Sequence, residues 1–146
     1  MDKSKSVETP IALGTKLSKQ DDGPTMDCTL YKRMVGSLMY LTSTRPDLMY
    51  VANLNYFNVY GVSQGSPKDS HWQFGKRILR YVACRVGYGL WYTHSKDNTL
   101  TGYTNSYFAS SIDEMKNTFD YAFHLGTSLI WWESKKQPIV SISSAK

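Results

Sequence analysis

The chain has 146 residues, of which 41% are hydrophobic and 14% aromatic, and its formal net charge is +5 at pH 7. This length fits one domain or two small subdomains, and the apolar content excludes a chain that is disordered throughout. The first residues lack the apolar core of a secretion signal, and no apolar run approaches the roughly 20 residues of a membrane span. Cys28 and Cys84 lie far apart without metal-ligand spacing, which favours free thiols in a reducing compartment. We therefore predict a soluble intracellular protein, cytoplasmic or nuclear, that does not contact a membrane.

Positive charge is concentrated between Cys28 and Ser95, where eight Lys and Arg residues stand against two acids. A basic helical half favours a polyanionic partner, although a solvated charged face accounts for the same pattern equally well. The basic residues of this stretch are Lys32, Arg33, Arg45, Lys68, Lys76, Arg77, Arg80 and Arg85.

Residues 1–27 are polar and interrupted by Pro and Gly, which predicts a flexible, mostly extended linker. A first helix is predicted from Thr29, its cap, to about Ser43, because four apolar residues repeat at steps of four, four and three. These residues are Leu30, Met34, Leu38 and Leu41. Gly36 costs this helix about 1 kcal/mol relative to Ala, so we expect a neighbouring element to approach it closely.

Two further helices are predicted from their start signals. Pro46 ends the first helix and begins a second one, capped by Thr44 or Arg45. Ser66 caps a third helix that runs to about Arg85, because Pro and an acid follow Ser66 in the first turn. The predicted buried face of the third helix consists of Trp72, Gly75, Leu79, Val82 and Val86. Three amphipathic helices with short connections predict a small antiparallel bundle.

Beyond Gly89 the pattern changes to short β-branched and aromatic runs separated by turn residues. The runs predict strands at residues 90–94, 99–106, 119–125, 129–134 and 139–143. A tight turn is predicted at residues 126–127, a polar loop at 110–117, and a further turn at 135–138. Consecutive hairpins imply an antiparallel sheet, so the predicted fold class is α+β: a three-helix bundle followed by a sheet.

Several motifs follow one another in the order found in one known family. Residues 31–47 read YKRMVGSLMYLTSTRPD, which is close to the family signature. Shorter matches are KSVETP at 5–10, KRILRY at 76–81, GLWY at 89–92, GYT at 102–104, KKQP at 135–138 and SS at 143–144. On these residues the chain resembles the C-terminal part of the Pol polyprotein of copia-type LTR retrotransposons, most closely that of plant elements.

The resemblance implies different roles for the helical half and the strand half of the chain. Residues 28–87 are similar to the thumb-like helices of the reverse transcriptase, which would lie against duplex nucleic acid or an RNA–DNA hybrid. Residues 88–146 resemble the start of a ribonuclease-H-like domain, truncated here, so the expected sheet is a partial one. Phosphate contacts that read no sequence are expected from one set of basic residues. They are Lys76, Arg77, Arg80 and Arg85, with Lys32 and Arg33 as weaker candidates.

The residue at position 105 determines whether we expect ribonuclease H activity from this chain. Ribonuclease H uses several carboxylates that converge on two Mg²⁺ ions, and Mg²⁺ favours anionic oxygen ligands. The family's first strand reads YTDSD, whereas residues 103–107 of this chain read YTNSY, so Asn105 occupies the position of the first catalytic aspartate. The family's later ligands fall beyond residue 146. We therefore predict a pseudoenzyme with no catalytic residue, no metal site and no cofactor.

The remaining acids offer a weaker route to a metal site. Asp113 and Glu114 fall in the predicted loop, Glu133 on the surface of a strand, and Asp120 where the family usually has Gly. His71 lacks ligand spacing and is predicted on a helix surface.

The leading hypothesis is a non-catalytic Pol fragment with residual, sequence-nonspecific nucleic-acid binding. Two alternatives stay open. One is a ribonuclease-H-type nuclease subunit that cleaves RNA in RNA–DNA hybrids when a partner chain completes its site. The other is a protein-interaction module that pairs through an exposed sheet edge.

Overall fold

The computed structural model describes residues 5–15, 17, 22–60, 66–94, 96–107 and 118–137. The chain divides into two compact units, one ending at Tyr88 and the other beginning at Gly89. The first contains α1 (Cys28–Leu41), a 3₁₀ turn (Pro46–Leu48), α2 (Met49–Tyr60) and α3 (Asp69–Cys84). The second contains β1 (Leu100–Tyr107), β2 (Thr118–Leu125) and β3 (Ser128–Lys136). The predicted α+β class, with three helices and an antiparallel sheet, is confirmed.

The N-terminus of α1 is capped by Asp27 and not by Thr29. The Asp27 carboxylate accepts the backbone N–H groups of Thr29 and Leu30 at 2.7 and 3.0 Å. An acid at this position satisfies two of the unpaired N–H groups of a first turn and complements the helix dipole. The helix ends at Leu41, two residues before the predicted end, and a turn of hydroxyl residues follows it.

The buried face of α1 is rotated relative to the predicted stripe. Leu30 is exposed, and the buried residues are Tyr31, Met34, Val35 and Leu38. The rotation follows from Tyr31, whose hydroxyl donates a hydrogen bond to Oδ1 of the fully buried Asn55 on α2. A tyrosine can therefore be buried here without leaving its polar atom unpaired.

Close packing occurs at Gly75 on α3, whereas it was predicted at Gly36. No described residue outside α1 comes within 4 Å of the position that a Cβ of Gly36 would take, so the predicted close approach is not found among the described residues. A Cβ on Gly75 would lie 2.8 Å from Met34 Sδ and 3.3 Å from Asn55 Nδ2. The absence of a side chain at Gly75 therefore lets α1 and α2 approach α3.

The start of α3 also differs from its prediction, since Lys68 and not Ser66 is the cap residue. The Lys68 backbone N–H donates to Nδ1 of His71 at 3.0 Å. His71, predicted on the surface, is only 2% exposed, because its ring pairs with this backbone group. The buried face of α3 is accordingly His71, Phe74, Gly75, Ile78 and Tyr81. Val86, predicted on that face, is exposed.

One hydrophobic core holds the helical unit together. Its buried members are Tyr31, Met34, Val35, Leu38, Leu48, Val51, Ala52, Phe74, Ile78 and Tyr81. Val7, Ile11 and Leu17 pack against this core, so part of the segment predicted as a linker lies along the bundle. Among the described residues, every buried apolar side chain belongs to this unit. No helix in the described part of the chain has the length and apolarity needed to cross a bilayer.

The sheet has the order β1-β2-β3 with both pairs antiparallel. The predicted turn at residues 126–127 is confirmed, and Gly126 adopts a φ of +56°, which Gly accommodates without strain. Residues 90–94, predicted as a strand, form none, because they do not join the ladder of paired strands. Lys135 and Lys136, predicted in a turn, continue β3. The predicted loop at 110–117 and strand at 139–143 lie outside the described residues.

Candidate nucleic-acid interface

Three of the predicted phosphate-binding residues lie on the outer side of α3. Lys76 is exposed, and Arg77 and Arg80 are partly exposed, whereas Phe74 and Ile78 on the opposite side are buried. The helical repeat of 3.6 residues explains this separation. The only acid of α3 is Asp69 in the first turn, so no carboxylate of the helix neutralises the three cations.

Each of these three side chains has a different environment. The Lys76 ammonium lies 5.4 Å from the centroid of the Trp72 ring, a cation–π distance. Arg77 Nη2 donates a hydrogen bond to Thr9 Oγ1 at 3.1 Å. The Nε atoms of Arg77 and Arg80 are buried and find no hydrogen-bond partner within the described residues. Because these two atoms are buried, phosphate contacts would have to come from the terminal nitrogens of the two guanidinium groups.

The other candidates are arranged differently. Arg85 follows α3, its Nη1 lies 3.2 Å from the Tyr88 hydroxyl, and its guanidinium carbon lies 5.0 Å from the centre of the Tyr88 ring. Part of its hydrogen-bonding capacity is thus already used. Lys32 and Arg33 are exposed on α1, whereas the other four candidates lie on α3 or directly after it.

A cluster around Arg45 is a feature that sequence reasoning missed. Arg45, counted above with the basic surplus, is only 6% exposed. It pairs with Asp47, and the Tyr81 hydroxyl donates to the same carboxylate at 2.9 Å. The hydrogen bond from Arg45 holds the pKa of Asp47 below its usual range, while burial raises the pKa of Tyr81. Arg45 is therefore a structural cation, and the Arg-Pro-Asp sequence was the available signal for it.

Asn105 lies on β1 directly opposite Asp120 on β2, and Asp120 in turn lies opposite Ser134 on β3. Residues directly opposite in antiparallel strands share a sheet face. Asp120 Oδ1 is buried and has no hydrogen-bond partner within the described residues. This trio supplies one carboxylate, which does not fit a pair of Mg²⁺ ions. Across residues 5–15, 17, 22–60, 66–94, 96–107 and 118–137, no three His, Cys, Asp or Glu side chains gather closely enough to hold a metal ion.

The remaining polar residues are dispersed. Glu133, predicted on the strand surface, is half-buried and accepts a hydrogen bond from the Tyr121 hydroxyl. The His124 ring packs edge-on against Tyr103 with 5.7 Å between centroids. Asp113 and Glu114 lie outside the described residues. Both cysteines are exposed free thiols.

Comparison with known proteins places the chain in a family. It is 36% identical over 145 residues to the retrovirus-related Pol polyprotein from transposon RE2 of Arabidopsis thaliana, a match that covers 98% of this chain and 10% of that protein. The polyprotein from transposon RE1 of the same plant is 37% identical over 144 residues, covering 98% and 9%. The chain belongs to the copia-type retrotransposon Pol polyproteins. It spans about a tenth of the length of these two relatives.

The same Pol stretch also resembles a much shorter protein. The secreted RxLR effector protein 161 of Plasmopara viticola is 35% identical to it over 117 residues, which are 80% of this chain and 79% of the effector. The stretch therefore has counterparts both within long polyproteins and as most of a small protein. No family model and no solved structure matches this chain.

Proposed function

We propose that this Pol segment binds nucleic acid through the outer side of α3 without reading its sequence. The observation that carries the proposal is the grouping of Lys76, Arg77 and Arg80 on the solvent side of one helix. Guanidinium groups donate to phosphate oxygens in charge-assisted, often bidentate bonds.

The expected salt dependence of the nucleic-acid affinity follows from counterion release. Each phosphate neutralised on B-form DNA contributes about 0.9 to the slope of log affinity against log salt. Three contacts then predict a loss of about forty-fold in affinity when salt rises from 50 to 200 mM. Arg85 contributes less because Tyr88 already engages it, and Lys32 and Arg33 contribute less because they lie on α1.

The relatives, named as Pol polyproteins, support a role beside a polymerase for the helical unit. There it would act as a thumb against a template–primer duplex or an RNA–DNA hybrid. We infer that the sheet unit derives from a ribonuclease-H-like domain and that it lacks nuclease activity. The neutral amide of Asn105 supports this inference, because it removes the negative charge that a divalent cation needs at that position.

Fluorescence anisotropy tests the proposal with a labelled RNA–DNA hybrid and a labelled DNA duplex of unrelated sequences. We expect similar affinities for both, a steep salt dependence, and a large loss in a Lys76→Ala, Arg77→Ala, Arg80→Ala triple variant. Gln73→Ala is the matched control, since Gln73 is exposed on the same helix and carries no charge. Absence of binding at 50 mM salt, or full affinity in the triple variant, contradicts the proposal.

The second candidate function is association with a second copy of this chain through the sheet. Within the described residues β1 and β3 are the outer strands, and Ile130 and Trp131 on β3 are 46% and 63% exposed. Outer strands with exposed apolar side chains favour pairing with another chain. Analytical ultracentrifugation should show concentration-dependent dimers that Ile130→Lys weakens. A monomer at every concentration rules this function out.

A further inference from the structure

We propose that Thr9 is a phosphorylation site and that its phosphate docks on Arg77. Thr9 is an exposed residue, and its hydroxyl oxygen already accepts a hydrogen bond from Arg77 Nη2 at 3.1 Å. The two residues are 68 positions apart, so this contact joins the N-terminal segment to α3. A phosphate on the same oxygen keeps the donor and adds negative charge, which converts a neutral acceptor into a charge-assisted one.

The backbone around Thr9 suits a protein kinase. Residues 5–10 form neither helix nor strand, and Pro10 follows Thr9. Proline restricts the residue before it to extended backbone and lacks an N–H group. A kinase whose substrate pocket accepts a proline after the target hydroxyl, a proline-directed kinase, fits this pattern.

The chain contains one other hydroxyl residue followed by proline, which serves as an internal contrast. Ser66 is exposed, but the Pro67 side chain is fully buried. A kinase cannot take up the Pro67 ring without unfolding the start of α3. Thr9 is therefore the expected target in the folded chain.

The modification itself is a simple phosphoryl transfer. The Thr9 hydroxyl oxygen forms a bond to the γ-phosphorus of a nucleoside triphosphate, and the bond from that phosphorus to the bridging oxygen breaks. The nucleoside diphosphate leaves, and the hydroxyl proton passes to a base of the kinase. No oxidant or reductant takes part.

The geometry at Arg77 favours docking of the product. Arg77 Nη2 already donates to the Thr9 oxygen at 3.1 Å, so it is within reach of a phosphate attached to that oxygen. Arg77 Nε is buried, and the phosphate therefore docks on Nη2 through a charge-assisted hydrogen bond. Val7 and Ile11, on either side of Thr9, already pack against the core. Docking therefore costs little additional ordering of the segment.

A regulatory consequence rests on the proposed nucleic-acid binding. The phosphate carries a charge of about −1.5 to −2 and pairs with Arg77, one of the three cations on the outer side of α3. It also repels the phosphates of a nucleic acid approaching Lys76 and Arg80. We expect phosphorylation of Thr9 to weaken hybrid binding about tenfold at low salt.

The full-length chain is treated with a proline-directed kinase and ATP, and the modified residue is identified by mass spectrometry. We expect phosphate on Thr9 and none on Ser66. Phosphorus NMR then measures the second ionisation of the phosphate in the folded chain and in a phosphopeptide of residues 5–15. We expect a lower pKa in the folded chain, a difference that Arg77→Gln removes and Lys76→Gln, its exposed neighbour, preserves.

Modification at Ser66 instead of Thr9, or equal phosphate pKa values in the folded chain and the peptide, overturns the proposal. Because the NMR titration contains no nucleic acid, it decides the docking even if the unmodified chain binds no hybrid and the proposed function fails. If the unmodified chain binds hybrid and the phosphorylated chain binds it equally well, the regulatory consequence is wrong.

Discussion

Arg45 and Asp47 form an ion pair with two hydrogen bonds in the turn between α1 and α2. The Nε–Oδ1 distance is 2.8 Å and the Nη2–Oδ2 distance is 2.7 Å. Arg45 Nη1 also donates to the carbonyl oxygen of Arg85 at 3.1 Å, and the Tyr81 hydroxyl donates to Asp47. The pair therefore fastens this turn to the C-terminal end of α3, next to the basic side chains of that helix.

Asp47→Asn should destabilise the helical unit by about 2–3 kcal/mol, because it leaves the buried Arg45 cation without a counter-charge. Chemical denaturation in urea, followed by circular dichroism at 222 nm, measures the change. Asp69→Asn is the control: Asp69 lies in the first turn of α3, where its charge contributes less than about 1 kcal/mol. Equal stability of the two variants would show that the Arg45 pair is dispensable.

The same pair predicts an acid-sensitive part of the stability. Arg45 holds the pKa of Asp47 below its value in the unfolded chain, so the folded state binds this proton more weakly than the unfolded state. The contribution is complete above the unfolded pKa of about 4 and disappears as the pH falls through the folded pKa. The difference in unfolding free energy between the wild type and Asp47→Asn should therefore shrink between pH 5 and pH 2. A difference that stays constant over this range would argue against the assignment.

Two helical glycines should respond differently to alanine. Gly36→Ala should stabilise α1 by about 0.5–1 kcal/mol, because the site is open and Ala has the higher helix propensity. Gly75→Ala should gain less than Gly36→Ala, because the end of the buried Met34 side chain must move to make room for the methyl group, and this offsets the gain in helix propensity. Thermal unfolding of the two variants provides the comparison, and each serves as the control for the other. An equal or larger stabilisation by Gly75→Ala would contradict the close packing described at this residue.

Asn105→Asp should not create a nuclease. The substitution places a second carboxylate directly opposite Asp120, and like charges at such a pair destabilise a sheet by roughly 0.2–1 kcal/mol. We expect no Mg²⁺-dependent cleavage of an RNA–DNA hybrid and a lower unfolding temperature. Thr104→Asp is the control, since it adds the same charge to β1 opposite Tyr121. Cleavage by Asn105→Asp alone would show that the inferred loss of activity rests on this one residue.

Periodicity in the sequence predicted the number of helices, but it misplaced part of the buried face of α1 and of α3. In both cases a polar aromatic residue lies inside the core because it has a specific partner. Tyr31 bonds to Asn55, and His71 accepts the Lys68 N–H. Counting apolar residues treats Tyr and His as surface residues, so this displacement could not be seen without the partners.

For the strands as well, the local sequence pattern predicts some features, whereas others depend on residues far apart in the chain. Alternating residues predicted β1, β2 and β3 to within two residues at every end. Residues 90–94 carry the same kind of pattern but form no strand, because a strand also needs a neighbour to pair with. At the candidate site, helical spacing was enough to group Lys76 with Arg80. The contact between Arg77 and Thr9 spans 68 positions, and no local pattern encodes it.

The location of the core determines which substitutions in a transposon copy disturb its hydrophobic interior. Since the buried apolar residues of the described chain all precede Tyr88, substitutions that accumulate after Gly89 remove none of them. A transposon copy can therefore lose the charges of its strands by neutral drift while its basic helices keep their hydrophobic interior. Natural copies of this region should then vary more in the strands than in the helices.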